Sequence, residues 1–385
     1  MLFVASIFLR LPAFGIDPMK EFGWTQFERF NNAEVWIHDR HVLNIYDTHP
    51  IQVHKFAGYV GYDEQYLKNK EDPQLTVYTS FPPTHFVALF ATLKTFGGHY
   101  TYKAMEVFGL AIHALSVGLI AYLVYLLTRS RLLAVLGGAI YIFSTGTLWY
   151  HMNVYWAHEL LVPVFVGSLI VFVKRRGLMR WWESLLFGAG MTLISWTGAV
   201  AAVGYALYGL YKFYKTKDRA YLNHLFVIAG LAAALVLVVA QVLITTGSNP
   251  VEYVEKVLHR AQTRTAGATS MPFVVMVWRF VNDLLLDYGG YMVIALVLAV
   301  KYKIERFHKA VLFVAAFPLV ESFIILEHDT VYGFGRLKWL IPVILLICIA
   351  GAKLSERRKW LLASAVAAAS VLHIALYFSV YQAVK

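Results

Sequence analysis

Long apolar runs separated by short polar turns make up most of the chain after residue 103. The runs lie at 104–127, 132–148, 157–173, 182–213, 224–244, 286–300, 309–326, 337–352 and 359–381. A helix that crosses a bilayer needs ~20 mostly apolar residues, and several runs approach or exceed that length. The short alternating segments of a transmembrane barrel do not occur. The pattern therefore predicts an all-α fold, a polytopic transmembrane helical bundle.

The number of spans depends on two segments. The run 182–213 is too long for one helix, and a break near Ser195–Gly198 divides it into two short spans. A short apolar helix from Met1 to Phe14, which contains Arg10, adds one more. It has neither a basic leading region nor an A-x-A-like cleavage site, so the pattern does not predict a signal peptide. The sequence thus predicts about eleven spans.

Charge placement predicts the orientation of the bundle. The chain is 59% hydrophobic and 15% charged, with a formal net charge of +11. More than half of the 34 basic residues lie in five short loops. These loops hold Arg129 with Arg131, residues 174–180, residues 212–219, residues 301–309 and residues 353–359. Short loops rich in Lys and Arg stay in the cytoplasm. The basic excess is therefore a topology signal, and no nucleic-acid partner is expected.

The chain is predicted to be one transmembrane domain, 1–385, with its polar material on one face. By alternation, the segments 15–103, 149–156, 245–285 and 327–336 are all extracytoplasmic. Within the first of them, Pro82 and Pro83 open an apolar stretch that is short for a span. We interpret this stretch as a membrane-parallel or re-entrant helix. Segments that leave the same face could build one site at the membrane surface.

The stretch "GIDPMKEFGWTQFERFNN" holds the first group of candidate site residues. Its candidate catalytic carboxylates are Asp17, Glu21 and Glu28, and its candidate sugar contacts are Trp24, Gln26 and Asn31. Amide and carboxylate groups bind sugar hydroxyls, and aromatic rings stack on the apolar face of a sugar. A solvated acidic surface is the simpler alternative for any single glutamate. We rank Asp17 first as general base, because burial near a membrane exit raises the pKa of a carboxyl group.

Two further outer segments carry candidate residues. The segment "WYHMNVYWAHELLVP" holds His158, a candidate substrate contact, and Glu159, a candidate second catalytic acid. The alternative is that this segment is only an aromatic belt at the membrane interface. Neighbours in sequence diverge by about 100° on a helix, a poor spacing for two ligands of one metal. The segment that begins at Glu327 holds His328 and Asp329 as substrate contacts. Cations that could bind a lipid-linked phosphate are Arg260, Arg264, Arg336 and Lys338. Charge balance in a loop is the alternative.

Motifs of other chemistries do not occur in the sequence. There is no GxxxxGK[ST], GxGxxG, HExxH or GxSxG, so no organic cofactor is expected. A divalent metal is possible, but its ligands are unknown. The single cysteine, Cys348, lies in an apolar run and offers neither a disulfide nor a cysteine-based metal site.

The order of these features resembles the GT-C superfamily of membrane glycosyltransferases, in particular glycosyltransferase family 39 and the protein O-mannosyltransferases. "LRLPAFGIDPMKEFGWTQFER" is similar to the family's arginine-containing first helix and acidic outer loop, and Trp24–Glu28 resembles an aromatic-x-Gln-x-acidic element. "YTSFPPTHFVALF" resembles the segment that opens a membrane-parallel helix. The family's pair of spans joined by a basic turn resembles "YLVYLLTRSRLLAVLGGAIYIFS". Its late H-x-Tyr loop resembles "EHDTVYGFGRLKWLIPVILL".

The resemblance implies an inverting transfer of a sugar from a polyprenyl-phosphate donor to an acceptor on the extracytoplasmic face. The acceptor could be a lipid, a glycan or a protein. One carboxylate, Asp17, Glu21 or Glu28, would deprotonate the acceptor, and cations would stabilise the leaving lipid phosphate. A transporter or flippase of a lipid-linked sugar is the alternative. It would place its polar residues near the bilayer midplane, often in paired repeats, which this sequence lacks.

Overall fold

The structure is a computed structural model. It describes residues 2–14, 46–47, 67–68, 76–77, 82, 84, 87–88, 91–92, 102–153, 157–263, 272–331 and 333–381. Elements are numbered along these residues.

Helices dominate the described chain. They are α1 (Leu2–Arg10), α2 (Tyr102–Thr128), α3 (Arg131–Phe143), α4 (Thr145–Asn153), α5 (Ala157–Lys174), α6 (Trp181–Ile194), α7 (Trp196–Thr216), α8 (Phe226–Thr246), α9 (Pro250–Thr263), α10 (Phe273–Lys301), α11 (Arg306–Ala316), α12 (Val320–Ile324), α13 (Leu326–Val331), α14 (Leu340–Gly351) and α15 (Glu356–Leu376). Short 3₁₀ turns cover Leu11–Ala13, Arg219–Leu225, Phe317–Leu319 and Gly333–Trp339, and a π turn covers Tyr377–Tyr381.

Three two-residue strands lie in the predicted first outer segment. They are β1 (Tyr46–Asp47), β2 (Leu67–Lys68) and β3 (Thr76–Val77), and β3 pairs antiparallel with both of the others. After Pro82, the described residues Thr84, Val87, Ala88, Ala91 and Thr92 are helical. This agrees with a helix that begins at the two prolines.

Six described helical stretches are long and apolar enough to cross a membrane, judged by length and composition. They are Glu106–Thr128, Ala157–Lys174, Arg219–Ile244, Phe273–Lys301, Arg306–Ile324 and Glu356–Val380. The pair α3 and α4, bent by 65° at Ser144, would make a seventh. The sequence predicted about eleven. The other predicted spans correspond to α1, α6 and α14, which have 9, 14 and 12 residues, and to α7, which is less apolar.

The break predicted inside run 182–213 is confirmed. Ser195 is extended, with φ −159° and ψ 152°, and separates α6 from α7. Its hydroxyl accepts a hydrogen bond from the Thr197 amide and caps α7, as serine does at helix starts. Helix α10 begins earlier than its apolar run suggests. Its first turns, from Phe273, lie within the segment 245–285 that the sequence assigns to an outer loop.

Helices α6 and α8 approach each other through glycines. A Cβ on Gly188 would lie 2.1 Å from the Val227 carbonyl oxygen, and one on Gly230 would lie 2.1 Å from the Leu185 carbonyl oxygen. Small residues allow backbones to meet in a membrane, where water does not drive helices together. The largest buried aromatic side chains, among them Tyr141, Tyr205 and Tyr288, belong to one central hydrophobic core.

The amphipathic helix α9 is predicted to place Val254, Val257 and Leu258 on one apolar face. In the structure Tyr253 is buried and packs with Val257 against the end of α8. Val254 and Leu258 are exposed. One edge of the face thus contacts the bundle, and the other edge is open.

Candidate active site

A buried cluster of ion pairs lies where α10, α12, α13 and the 3₁₀ turn Gly333–Trp339 meet. The Lys338 ammonium lies 2.8 Å from Glu321 Oε2 and 2.8 Å from Asp329 Oδ2. Arg336 donates from Nε to Asp287 Oδ2 at 2.8 Å, and its Nη1 lies 3.4 Å from Asp283 Oδ2. We call these six side chains the ion-pair cluster.

The turn can approach Asp329 closely because residue 335 is glycine. A Cβ on Gly335 would lie 2.3 Å from Asp329 Oδ1, which no larger residue could tolerate without a shift. Arg336 Nη1 also donates to the Asp329 carbonyl oxygen at 3.0 Å. On the other side, Ser322 donates to Asp329 Oδ2, and Trp339 Nε1 donates to Ser322 at 3.1 Å. Asp329 is therefore held by both its side chain and its backbone.

Carboxylates outnumber cations in the ion-pair cluster. Arg336 and Lys338 face Asp283, Asp287, Glu321 and Asp329. Asp329 and Glu321 both contact the Lys338 ammonium, and two carboxylates at this distance favour its charged form. Lys338 is therefore charged at neutral pH. Because each cation already has carboxylate partners, an added anion would have to replace one of them.

A chain of hydrogen bonds connects this cluster to α5. Thr197 donates its hydroxyl hydrogen to Glu321, and its oxygen lies 3.0 Å from His158 Nε2. A hydroxyl has one hydrogen, so the Thr197 oxygen accepts from His158, and the imidazole carries a proton on Nε2. His158 is thereby joined to Lys338 through Thr197 and Glu321.

The neighbouring residue, Glu159, faces a different group. Its Oε2 lies 3.9 Å from His151 Nδ1, and Tyr141 Oη lies 2.6 Å from His151 Nε2. The rings of His151 and His113 have centroids 4.5 Å apart. His158 and Glu159 thus diverge as predicted for neighbours on a helix, and the start of α5 separates two polar groups.

Arg10 connects the end of α1 to the polar group formed by Glu159, His151, Tyr141 and His113. It is 1% exposed, and it donates from Nε to the Leu148 carbonyl at 2.9 Å and from Nη2 to the Thr147 carbonyl at 3.1 Å. Nη1 donates to Ser6 at 2.9 Å, and Nη2 lies 3.4 Å from His113 Nε2. The chain therefore leaves α1, toward the first outer segment, beside the group that contains Glu159.

The structure brings together four of the predicted site residues. His158, Asp329, Arg336 and Lys338 belong to one continuous set of contacts, and Glu159 lies next to it. Other predicted residues lie outside the described part of the chain: Asp17, Glu21, Trp24, Gln26, Glu28, Asn31 and Arg264. For Arg260 and His328 only the backbone is described, and it is helical in both.

Several residues of the ion-pair cluster, and of the side chains that hydrogen-bond to it, did not emerge as site residues from the sequence. Thr197, Ser322, Asp283 and Asp287 are inconspicuous in the sequence, whereas Glu321 stands out as an acid in an apolar run. Asp287 would also have stood out as an acid in an apolar run if the predicted span 286–300 had been extended back toward Phe273. Among the described residues, no group of three His, Cys, Asp or Glu side chains is placed to hold a metal ion.

The bundle shares its fold with two solved structures, so the predicted polytopic all-α fold is confirmed. One similar structure is the crystal structure of ArnT from Cupriavidus metallidurans bound to undecaprenyl phosphate. Its TM-score is 0.63 at 16% identity, over 96% of this chain and 63% of that one. A second is the Archaeoglobus fulgidus oligosaccharyltransferase in complex with Zn and sulfate, with a TM-score of 0.58 at 14% identity, over 98% of this chain and 53% of that one.

This chain spans less than two thirds of the length of either structure. No protein-family model and no curated protein sequence matches it.

Proposed function

We propose that this protein transfers a sugar from a polyprenyl-phosphate-linked donor to an acceptor at the extracytoplasmic membrane face, with inversion at the anomeric carbon. The observation that carries the proposal is the likeness to ArnT, which extends over 96% of this chain. That transferase is bound to undecaprenyl phosphate, the lipid phosphate class that we propose for the donor here. The polytopic bundle gives such a donor direct access from the bilayer.

The general base is a carboxylate of the first outer segment, with Asp17 ahead of Glu21 and Glu28. Support comes from Arg10, which fixes the end of α1 against α4, beside His113 and within the group of Glu159. Asp17 follows only seven residues later. The base takes the proton of the acceptor hydroxyl while its oxygen forms a bond to the anomeric carbon. The bond from that carbon to the phosphate oxygen breaks, and the lipid phosphate keeps the electron pair.

Arg336 and Lys338 are our proposed partners of the leaving phosphate. Positive charge placed where negative charge develops lowers the barrier to such a transfer. Among the carboxylates around them, Asp283 is the one that a phosphate oxygen could replace most easily. Its side chain is 25% exposed and its contact with Arg336 is the longest, at 3.4 Å, whereas Asp287 is fully buried. Arg260 and Arg264, near the end of α9, are further candidates.

The remaining predicted residues would hold the sugar and the acceptor. We assign Trp24, Gln26 and Asn31 to stacking and hydroxyl contacts, and His158, His328 and Asp329 to the opposite wall of the site. Glu159 is fully buried beside His151, so we propose it as a second carboxylate that acts at the edge of the site.

Membranes supplied with radiolabelled polyprenyl-phosphate sugars test the proposal. Asp17→Asn should lose about 10²–10⁴-fold in turnover yet keep expression and donor binding, since it removes only the base. Glu255→Gln is a matched control, because Glu255 is an exposed carboxylate on α9. If the amide variants of Asp17, Glu21 and Glu28 all transfer sugar normally, the base is not in the first outer segment and this mechanism is wrong.

The donor-phosphate assignment needs its own test. Arg336→Ala should weaken donor binding, whereas Asp283→Asn should leave binding unchanged or strengthen it, because it removes the carboxylate that competes with the phosphate. Equal loss of donor binding in both variants would show that Arg336 and Asp283 act only as a structural pair.

A flippase of a lipid-linked sugar is the second candidate. Asp283 and Asp287 lie in the candidate span Phe273–Lys301 and pair with Arg336, and ionisable groups within spans often line transport pathways. Proteoliposomes distinguish the two: a flippase moves the labelled donor across the bilayer without an acceptor, and a transferase does not.

A further inference from the structure

A cavity of about 550 Å³ lies at the other end of the bundle, away from the ion-pair cluster. It is lined by Leu126 and Arg129 at the end of α2, by Val173, Lys174 and Arg176 at the end of α5, and by Phe307 at the start of α11. Candidate spans end or begin at all three places, so the cavity lies at the level of lipid headgroups.

The cations that line the cavity differ from their basic neighbours in their surroundings. Within the described residues, no carboxylate lies within ion-pair distance of Arg129, Lys174 or Arg176, and the Lys174 ammonium lies 5.1 Å from the centroid of the Tyr122 ring. Arg175, between two of them, behaves differently. It donates two hydrogen bonds to Glu183, at 3.0 Å and 2.7 Å, and does not line the cavity.

Helix dipoles explain only part of this charge. Cations at the carboxyl ends of α2 and α5 offset about half a negative charge at each end. Three full positive charges exceed that by about two. The left-handed backbone of Arg129 and Arg176, with φ 55° and 52°, is the usual form of a helix end, and Lys217 adopts it as well. Basic loops as such only set the topology, so what points to a ligand is the convergence on one cavity of three cations that have no acidic partner in the described part of the chain.

The other half of the cavity is apolar. Leu126, Val173 and Phe307 line it, and the Phe307 ring stacks on that of Phe172 with centroids 6.5 Å apart. A free phosphate ion would gain nothing from these side chains, whereas the first methylenes of an acyl chain would be buried against them.

We infer that this cavity binds the headgroup of an anionic phospholipid of the surrounding bilayer, with its phosphate among Arg129, Lys174 and Arg176 and its acyl chain beside Phe307. The inference does not depend on the proposed glycosyl transfer. It concerns a site with its own ligand, at the opposite end of the bundle from the candidate active site.

Binding can be measured with the full-length protein in mixed micelles. The probe is phosphatidylglycerol, and the readout is the mole fraction that half-saturates the shift in the thermal unfolding midpoint. We expect a shift with phosphatidylglycerol and none with phosphatidylcholine or with inorganic phosphate. A full shift with inorganic phosphate alone would overturn the lipid assignment, because the apolar half of the cavity would then contribute nothing.

The variant R129Q/K174Q/R176Q tests the site. Each cation near an anionic lipid contributes about fivefold in affinity, so the triple variant should bind on the order of 100-fold more weakly. The control K215Q/R219Q/R357Q removes the same charge from exposed residues at the same end of the bundle and should bind as the wild type does. Equal weakening in both would show that net charge alone attracts the lipid, and the inference would be wrong.

If the triple variant misfolds, a single substitution still tests whether the cavity binds the lipid. The single change Lys174→Gln alters an exposed side chain and should leave the lipid-free unfolding midpoint unchanged. It should still weaken phosphatidylglycerol binding about fivefold. Unchanged binding in Lys174→Gln would count against the cavity.

Discussion

Two buried threonines on neighbouring helices differ in whether their hydroxyl groups have partners. Thr197 bonds to both Glu321 and His158, whereas Thr192 Oγ1 has no partner among the described residues. Thr197→Val should cost about 1–3 kcal/mol of stability, because it leaves a buried carboxylate and a ring nitrogen without their bond. Thr192→Val should be neutral or stabilising. Thermal unfolding in one detergent compares them, and a larger loss for Thr192→Val would contradict the assigned bonds.

The ion-pair cluster predicts a strong effect at Lys338. Lys338→Met leaves Glu321 and Asp329 buried with an uncompensated charge, and breaking a buried pair in this way costs about 3–5 kcal/mol. Lys301→Met, at an exposed lysine, should change little. Adding Glu321→Gln to Lys338→Met should recover part of the loss. If Lys338→Met unfolds at the same temperature as Lys301→Met, the ion pairs do not stabilise the fold.

For single residues, the sequence predicted which ionisable side chains belong to the candidate site better than it predicted their contact partners. His158, Asp329, Arg336 and Lys338 stood out because they are polar residues next to apolar runs. Thr197 did not, since its partner Glu321 is 124 positions away and a threonine in a helix is unremarkable without it. Contacts between distant segments depend on the packing of the helices, which hydrophobic periodicity does not specify.

Helix packing gives the clearest prediction at the scale of elements. Gly188→Ala should separate α6 from α8, because the new Cβ would lie 2.1 Å from the Val227 carbonyl oxygen. Such overpacking costs about 1–3 kcal/mol. Gly190→Ala, on the same helix, meets nothing within 4 Å and should stabilise the helix by up to about 1 kcal/mol. Unfolding midpoints would contradict this packing if both variants shifted in the same direction.

Arg10 should determine how firmly α1 is attached. Arg10→Lys keeps the charge but cannot reproduce the geometry in which a guanidinium contacts two carbonyls and a serine. We expect faster amide hydrogen exchange in α1 and at the start of α4, with the rest of the bundle unchanged. Arg131→Lys, at an exposed arginine at the start of α3, is the control. Unchanged exchange in Arg10→Lys would mean that apolar packing alone holds α1.

The sequence predicted some element boundaries and missed others for a physical reason. The break at Ser195 was visible because a hydrophobic run too long for one span needs an interruption. The start of α10 was missed because Arg279, Asp283 and Asp287 make residues 273–287 read as a polar loop. Two of these charges are compensated by Arg336. A span can therefore contain acids if another segment supplies the cation, and the sequence alone does not show that pairing.

For the whole molecule, the charge pattern predicts which end faces the cytoplasm. The test uses two variants in a Cys348→Ala background, each with one new cysteine. Lys215→Cys lies at the basic end of the bundle, and Glu252→Cys lies beyond the far end of α8. A membrane-impermeant maleimide should label Glu252→Cys in intact cells and Lys215→Cys only after permeabilisation. Labelling of both from the same side would contradict the predicted topology.

The contacts of Arg10 impose an order of events on biosynthesis. Its carbonyl partners lie 137 and 138 residues later in the chain. At ~5–20 residues per second, the ribosome needs roughly 7 to 27 s to reach them. During that interval α1 is present in or near the bilayer before the carbonyl partners of Arg10 exist, and a charged side chain without partners is costly inside a membrane. Nascent chains arrested before Thr147 should therefore hold α1 loosely, and those arrested after α4 has emerged should hold it firmly.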